Sequence, residues 1–467
     1  MVFCSLPFLF FFLPLALVVY YVSPKRFRNA ILFLFSLYFY ATGEFDYLWL
    51  IFVSIFFNYL IALGLQRFSN KAKALLGLGV GLNLGALIYF KYGAFLADNL
   101  HFSSAHFSNL VLPLGISFYT FHSISYLIDV YRQKSAPQRN LLSMGLYIVN
   151  FSQLVAGPII RYHDVEKQLH TRLHSWHRFQ NGLQLFIYGL AKKMLIANVV
   201  GEFADSSFNQ TYGPLPWYVA WVAALAYALQ IYFDFSGYSD MAIGIGRMFG
   251  FEFKKNFRLP YAATSIREFW QKWHISLSSW FRDYVYIPLG GNRKGSWRTG
   301  FNLICIFVLC GFWHGANFTF LVWGLLHGLF ISLERFLPKK QTPNRLRTLF
   351  GHLYVWLILL LTWVFFRAET LTQALDFLKS MGSFQNTTEM NPDFRSFLSP
   401  YFISILIIGL LASLGIFSKL SMRLLKQRRL PIEKFRSLQT VFLILLFYLS
   451  FIQLITSDFN PFIYYRF

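Results

Sequence analysis

Residues 301–333 read FNLICIFVLCGFWHGANFTFLVWGLLHGLFISL, and this stretch decides the fold class. It carries no Lys, Arg, Asp or Glu, yet it holds two histidines, His314 and His327. As one helix, 33 residues would span about 50 Å, against a hydrocarbon core of roughly 30 Å. Two full passes would need about 40 residues. The stretch is too long for one crossing and short for two. A break near Gly311–Gly315 resolves this and sets His314 inside the apolar block. A titratable side chain is expensive there and marks a functional-site candidate.

The surroundings agree. The chain has 467 residues, 56% hydrophobic, 20% aromatic and 13% charged, with a mean hydropathy of +0.46. Soluble chains carry about 25% charge. This composition predicts an all-α polytopic membrane protein, one integral domain over 1–467 with a catalytic core at roughly 230–335. Apolar runs lie near 2–22, 29–43, 47–65, 74–90, 108–128, 180–200, 217–235, 300–313, 316–333, 351–366, 401–418 and 438–456. They predict about 11–13 crossings. Run 141–160 is expected to be re-entrant, and 379–400 an external loop. Val2–Val22 lacks a basic start and a small-residue cleavage site, so it reads as the first membrane helix rather than a leader.

The formal charge of +22 invites a nucleic-acid reading. Basic loops on one membrane face explain it better, with no nucleic-acid partner. Lys25, Arg26 and Arg28 follow the first run, and Arg132, Lys134 and Arg139 the fifth. Such loops are cytoplasmic by the positive-inside rule, which places both termini outside. Cys4, Cys305 and Cys310 sit in apolar runs and read as packing residues.

Residues 254–298 hold nine Lys or Arg among aromatics. Arg267–Trp280 is expected to be an amphipathic helix in the membrane interface. His274 falls in Trp273-His-Ile-Ser276, and a role for it requires proximity to His314. His314, if neutral, can accept a hydroxyl proton. His327 reads as a packing or hydrogen-bonding residue. His170, His174 and His177 have ligand-like spacing, with His163 seven residues earlier, but the basic setting favours a solvated face over a metal. Asp234-Phe-Ser-Gly-Tyr-Ser-Asp240 is read as either a helix cap and loop or cavity lining. No nucleophile elbow, P-loop or dinucleotide fingerprint accompanies it.

Several of these pieces resemble one family. They are Arg267-Glu-Phe-Trp-Gln-Lys-Trp-His-Ile-Ser-Leu-Ser278, Trp280-Phe-Arg-Asp-Tyr-Val-Tyr-Ile-Pro-Leu-Gly-Gly-Asn-Arg293, Gly311-Phe-Trp-His-Gly-Ala-Asn317 and Trp323-Gly-Leu-Leu-His-Gly328. Asp234–Asp240, Gly157–Arg161, Phe365–Ala368 and both chain ends add to them. The chain resembles the membrane-bound O-acyltransferases, in the bacterial branch of the alginate O-acetylation proteins. The resemblance implies a ring of helices around a tunnel, and acyl transfer from a thioester to a hydroxyl. It matches the family's essential histidine to His314 and its second polar residue to His274.

On that basis His314 is the expected base, and His274 positions the hydroxyl or polarises the thioester. Trp313 and Asn317 are the expected oxyanion donors. His327, Ser236, Asp240 and Arg282 are expected to line the tunnel or bind substrate. No cofactor or metal is expected, only an acyl thioester co-substrate, either acetyl-CoA or an acyl carrier. The expected setting is the bacterial inner membrane, with a periplasmic SGNH-type acetyltransferase as partner. D-alanyl transfer to teichoic acid, a carbohydrate or lipid transporter and an inactive scaffold are the competing readings.

Overall fold

The computed structural model describes residues 1–103, 105–108, 110–154, 157–209, 215–336, 344–383, 399–426, 431–457, 459–461 and 463. Among these there is no strand, as the composition requires. Most of the expected loop at 379–400 lies outside the described residues, and 379–382 close a helix, Leu371–Gly382.

Seven helices are long and apolar enough to cross a membrane, or eight if the bent pair Pro400–Ser413 and Ile416–Arg423 counts as one span. That is fewer than the sequence count of about 11–13 crossings. Runs 29–43 and 47–65 fall in one helical stretch, Lys25–Arg67. Phe8–Val22 and Phe318–Glu334 are apolar but short. Run 108–128 becomes a 16-residue helix, Ile116–Tyr131, buried almost throughout. Many apolar side chains point outward. On Ile432–Thr456, Val441 and Ile444 are each 64% exposed, an arrangement stable only where the surrounding solvent is lipid.

The chain forms two compact units. The first comprises residues 1–186 and 238–255, the second 187–237 and 256–466. Within the first, run 141–160 forms helices Leu141–Val149 and Phe151–Leu154, broken at Asn150. Nine residues rise only about 14 Å, too short to cross a hydrocarbon core of roughly 30 Å.

Within the second unit, the uncharged stretch is a helical hairpin. Gly295–His314 spans 20 residues, about 30 Å, and Phe318–Glu334 returns over 17 residues. Gly315 is extended and Asn317 caps the second helix, its Oδ1 accepting the Thr319 N–H at 3.0 Å. Gly311, Gly324 and Gly328 let the two backbones touch. A Cβ at Gly311 would overlap the Phe320 carbonyl, and one at Gly324 the Phe307 carbonyl. Close approach through glycine is how lipid-embedded helices gain packing contacts without a hydrophobic driving force.

Candidate active site

His314 is the last residue of the first hairpin helix and is 1% exposed. Rings surround it: Trp313 at 4.9 Å, Phe366 at 5.1 Å and Trp323 at 5.2 Å between centroids. His274 is fully buried and neighbours this cluster. Its ring lies 6.3 Å from that of Trp313 and edge-on to Phe235 at 4.6 Å. One indole, Trp313, therefore touches both histidines, forty positions apart in sequence. Trp313 is the ring that links His274 to His314.

The expected amphipathic helix over Arg267–Trp280 is instead two short helices, Ile266–Lys272 and Ile275–Phe281. His274 breaks them with a left-handed backbone, φ +41°. A non-glycine residue there costs of order 1–3 kcal/mol and must be held by its surroundings. Asn256 holds it. The Asn256 carbonyl accepts the Ile275 N–H at 2.9 Å, and its Oδ1 takes Ser276 N–H at 3.1 Å and Ser276 Oγ–H at 2.9 Å. The aromatic residues expected in the interface, Phe269, Trp270, Trp273 and Trp280, are buried in the unit.

The same contacts settle a tautomer. A backbone N–H only donates, so the Asn256 atom facing Ser276 is the oxygen. That oxygen also lies 3.2 Å from His274 Nδ1, so Nδ1 carries the proton and Nε2 is the basic nitrogen. His274 lies between the spans, and burial pushes its pKa down to about 3, which keeps the ring neutral.

His327 has the opposite tautomer. The Trp270 indole, a donor only, reaches His327 Nδ1 at 3.2 Å, so Nε2 bears the hydrogen. His327 Nε2 and Trp323 Nε1 are buried and find no hydrogen-bond partner among the described residues. Both belong to the ring cluster, with Trp323 5.1 Å from His327.

The remaining site candidates divide. Asn317 does not fit an oxyanion donor: its Oδ1 caps the helix and its Nδ2 donates to the Glu369 carbonyl at 2.6 Å. Arg282 is paired with Asp283 at 2.7 Å and lines a pocket of about 530 Å³. The exposed side of that pocket carries Arg267, Arg282 and Arg335, and its buried side Ile306, Phe307, Cys310 and Trp270. Neither His314 nor His274 lines it. Its lining includes Cys310, one helical turn before His314, and Trp270, whose ring meets Trp323 edge-on at 5.7 Å.

Asp234–Asp240 is neither cap nor loop, because Trp217–Met248 is one continuous 32-residue helix. Asp234 instead forms a fully buried ion pair with Lys193 at 2.7 Å and accepts the Ile463 N–H at 3.0 Å. Ser236 is buried, and its hydroxyl has no partner among the described residues. Asp240 lies one turn further along, in the other unit.

The histidines at 163–177 do not share a helical face. His170 ends one helix, Tyr162–His170, and His177 begins another, Trp176–Ala191. His163 pairs with Asp129 at 2.6 Å. No metal-capable group of His, Cys, Asp or Glu exists among the described residues.

Residues 134–372 match the model of the MBOAT, membrane-bound O-acyltransferase, family, and one relative aligns over the whole chain. The chain belongs to the membrane-bound O-acyltransferase family. It is therefore a multi-pass membrane acyltransferase, as the resemblance of its motifs implied. It is 40% identical to a probable alginate O-acetylase of Pseudomonas putida over all of both chains. It is 38% identical to a peptidoglycan O-acetyltransferase of Helicobacter pylori, over 80% of this chain and 78% of that one. A teichoic acid D-alanyltransferase of Bacillus subtilis is more remote, 27% identical over 50% of this chain and 61% of that one.

Sequence reasoning missed Asn256, Trp270 and Lys193. Asn256 lies 18 positions before His274, at no spacing that signals contact. Trp270 was visible only as one aromatic among many.

Proposed function

We propose that this protein transfers acetyl from a cytosolic thioester to a hydroxyl acceptor, for O-acetylation of an extracytoplasmic polysaccharide such as alginate. The observation that carries this reading is that the buried rings of His314 and His274 both neighbour Trp313, inside one aromatic shell. Similarity to the two O-acetylating relatives over most of the chain favours acetyl over D-alanyl, whose enzyme matches over only half of it.

The two tautomers divide the roles. His314 takes the hydroxyl proton as the acceptor oxygen attacks the thioester carbonyl. His274, with Nε2 unprotonated, accepts a hydrogen bond from that hydroxyl and aims it. It has no Nε2 proton with which to polarise the carbonyl. His327 Nε2–H and Trp323 Nε1–H, with Trp313, are the donors for the developing oxyanion in place of Asn317. The C–S bond then breaks, and the thiolate recovers the proton from His314.

The pocket rimmed by Arg267, Arg282 and Arg335 suits an anionic thioester donor such as acetyl-CoA or a phosphopantetheine carrier. Its apolar end stops at Trp270, so the acetyl group reaches His314 only when the Trp270–Trp323 contact opens. No resident cofactor is needed. The setting we assign is the bacterial inner membrane, with a periplasmic SGNH-type acetyltransferase completing transfer to the polymer.

The test is acetyl transfer by purified protein in nanodiscs, comparing wild type with His314→Ala and His314→Gln at equal folded yield. The expected result is a loss of at least a hundredfold in both. Full turnover in either variant removes the reading.

A further inference from the structure

The first unit holds a cluster of basic side chains that the acyl-transfer reading does not use. A pocket of about 930 Å³ is lined there by Lys25, Arg26, Arg28, His170, Arg172 and His174, and by no Asp or Glu. None of Lys25, Arg26, Arg28 and Arg172 pairs with a described carboxylate.

Two of these cations are set in fixed positions. Arg172 Nε donates to Tyr20 Oη at 3.1 Å, and its guanidinium lies 4.6 Å over the Phe251 ring. Tyr20 is held in turn by a bond to the Phe249 carbonyl and by His174 Nε2, each at 2.9 Å. Arg28 lies 5.0 Å over the same Tyr20 ring, and Arg172 5.7 Å from it. Two like charges thus share one aromatic ring. Arg28 Nε and Arg172 Nη1 are buried and have no hydrogen-bond partner among the described residues. Bringing guanidiniums together without a counter-charge costs energy that an oxyanion recovers, because planar N–H forks match phosphate oxygens. The volume falls in the range of small-ligand sites, about 300–1,000 Å³.

We propose that this pocket binds a phosphate-bearing anion, read by Arg28 and Arg172 with Lys25 and Arg26 at its entrance. The phosphate can belong to an anionic phospholipid headgroup or to a soluble ligand, and the chemistry at the guanidiniums is the same. The site lies wholly in the first unit and stands whether or not the acetyl-transfer reading does.

Binding by the full-length protein tests it in two arms. In one, delipidated protein in detergent is titrated with inorganic pyrophosphate and followed by thermal shift. In the other, protein is released from nanodiscs of equal phosphatidylglycerol and phosphatidylcholine, and retained lipid is counted by native mass spectrometry. Wild type is compared with Arg28→Gln and with Lys25→Gln/Arg26→Gln, whose side chains are exposed and whose loss leaves folding intact should Arg28→Gln not fold. The expected result is saturable binding of one ligand per chain, weakened at least tenfold in a folded variant. Pyrophosphate binding alone assigns a soluble ligand; retained phosphatidylglycerol alone assigns a lipid; both show that the phosphate itself is read. Saturable binding of neither, or equal affinity in every folded variant, overturns the proposal.

Discussion

Trp270 donates its indole N–H to His327 Nδ1 at 3.2 Å, and the same residue lines the pocket whose lining does not include His314. One side chain thus sets the tautomer of a buried histidine and bounds the space a donor would occupy. Trp270→Phe keeps a ring but removes the donor. Losing one such bond is worth about 0.5–1.5 kcal/mol. We expect kcat to fall about tenfold while KM for the thioester stays within a factor of about two. Steady-state acetyl transfer in nanodiscs measures both. A change in KM alone would show that Trp270 shapes the pocket and does not act through His327.

Asn256 predicts a pH effect. Burial pushes His274 from its ordinary 6.5 down to about 3. The ring therefore stays neutral from pH 8 to pH 5, and wild-type kcat shows no acid limb from this group. For stability the sign is the same. Between pH 6.5 and about 3 the unfolded chain binds a proton that the folded chain excludes, so stability drops as pH drops through that window. Asn256→Asp sets a carboxylate beside Nδ1–H and raises the His274 pKa. The variant should lose kcat progressively between pH 7 and pH 5. Superimposable pH profiles for the two proteins would exclude a role for His274.

The buried pair Lys193–Asp234 gives an asymmetric double-mutant result. Both side chains are 1% exposed. Removing one partner strands the other charge and costs about 3–5 kcal/mol. Lys193→Met should unfold at a markedly lower temperature, and Lys193→Met/Asp234→Leu should recover most of the loss. Thermal unfolding in detergent reads the cycle; equal destabilisation by single and double variants contradicts it.

The hairpin predicts a contrast between glycines. Gly324→Ala forces a Cβ into the Phe307 carbonyl, whereas a Cβ at Gly81 meets nothing within 4 Å. Overpacking costs about 1–3 kcal/mol. Gly324→Ala should lower folded yield and melting temperature, while Gly81→Ala leaves both unchanged. Fluorescence-detected size exclusion after heating compares them.

Arg335 tests the donor end of the pocket. Arg335→Gln removes a cation from its exposed side while leaving the apolar end intact. A charged hydrogen bond is worth about 1.5–3 kcal/mol, so KM for acetyl-CoA should rise about tenfold or more with kcat nearly unchanged. An unaltered KM would move the donor elsewhere.

Much of this was readable in the chain. The hairpin break was legible because an uncharged run of awkward length must bend at its glycines, and the helix does end at His314. The family resemblance at 267–293 and 311–328 led to His314 and His274, which the structure brings to one indole. Other readings failed for identifiable reasons. Arg267–Trp280 has helical periodicity, but a tertiary contact to Asn256 holds His274 in a conformation that no helix admits. Of the two readings of Asp234–Asp240, cavity lining and a helix cap with a loop, the second fails. The pairing with Lys193, 41 positions upstream, keeps it inside a helix. Asn317 was assigned to chemistry, but the backbone N–H of Thr319 two residues later claims it as a cap.

The sequence alone dictated that the chain lives in lipid and is helical, because its long continuous apolar runs suit helices, which satisfy their own backbone groups there, and lack the alternation of a barrel strand. Protonation states, ion pairs and the two anion-suited pockets depend on which distant atoms come within about 3 Å of one another. Local periodicity carries no record of that distance: Asn256 lies in a bend outside any helix, and a one-residue shift there would move it from His274 and leave the same letters with different chemistry.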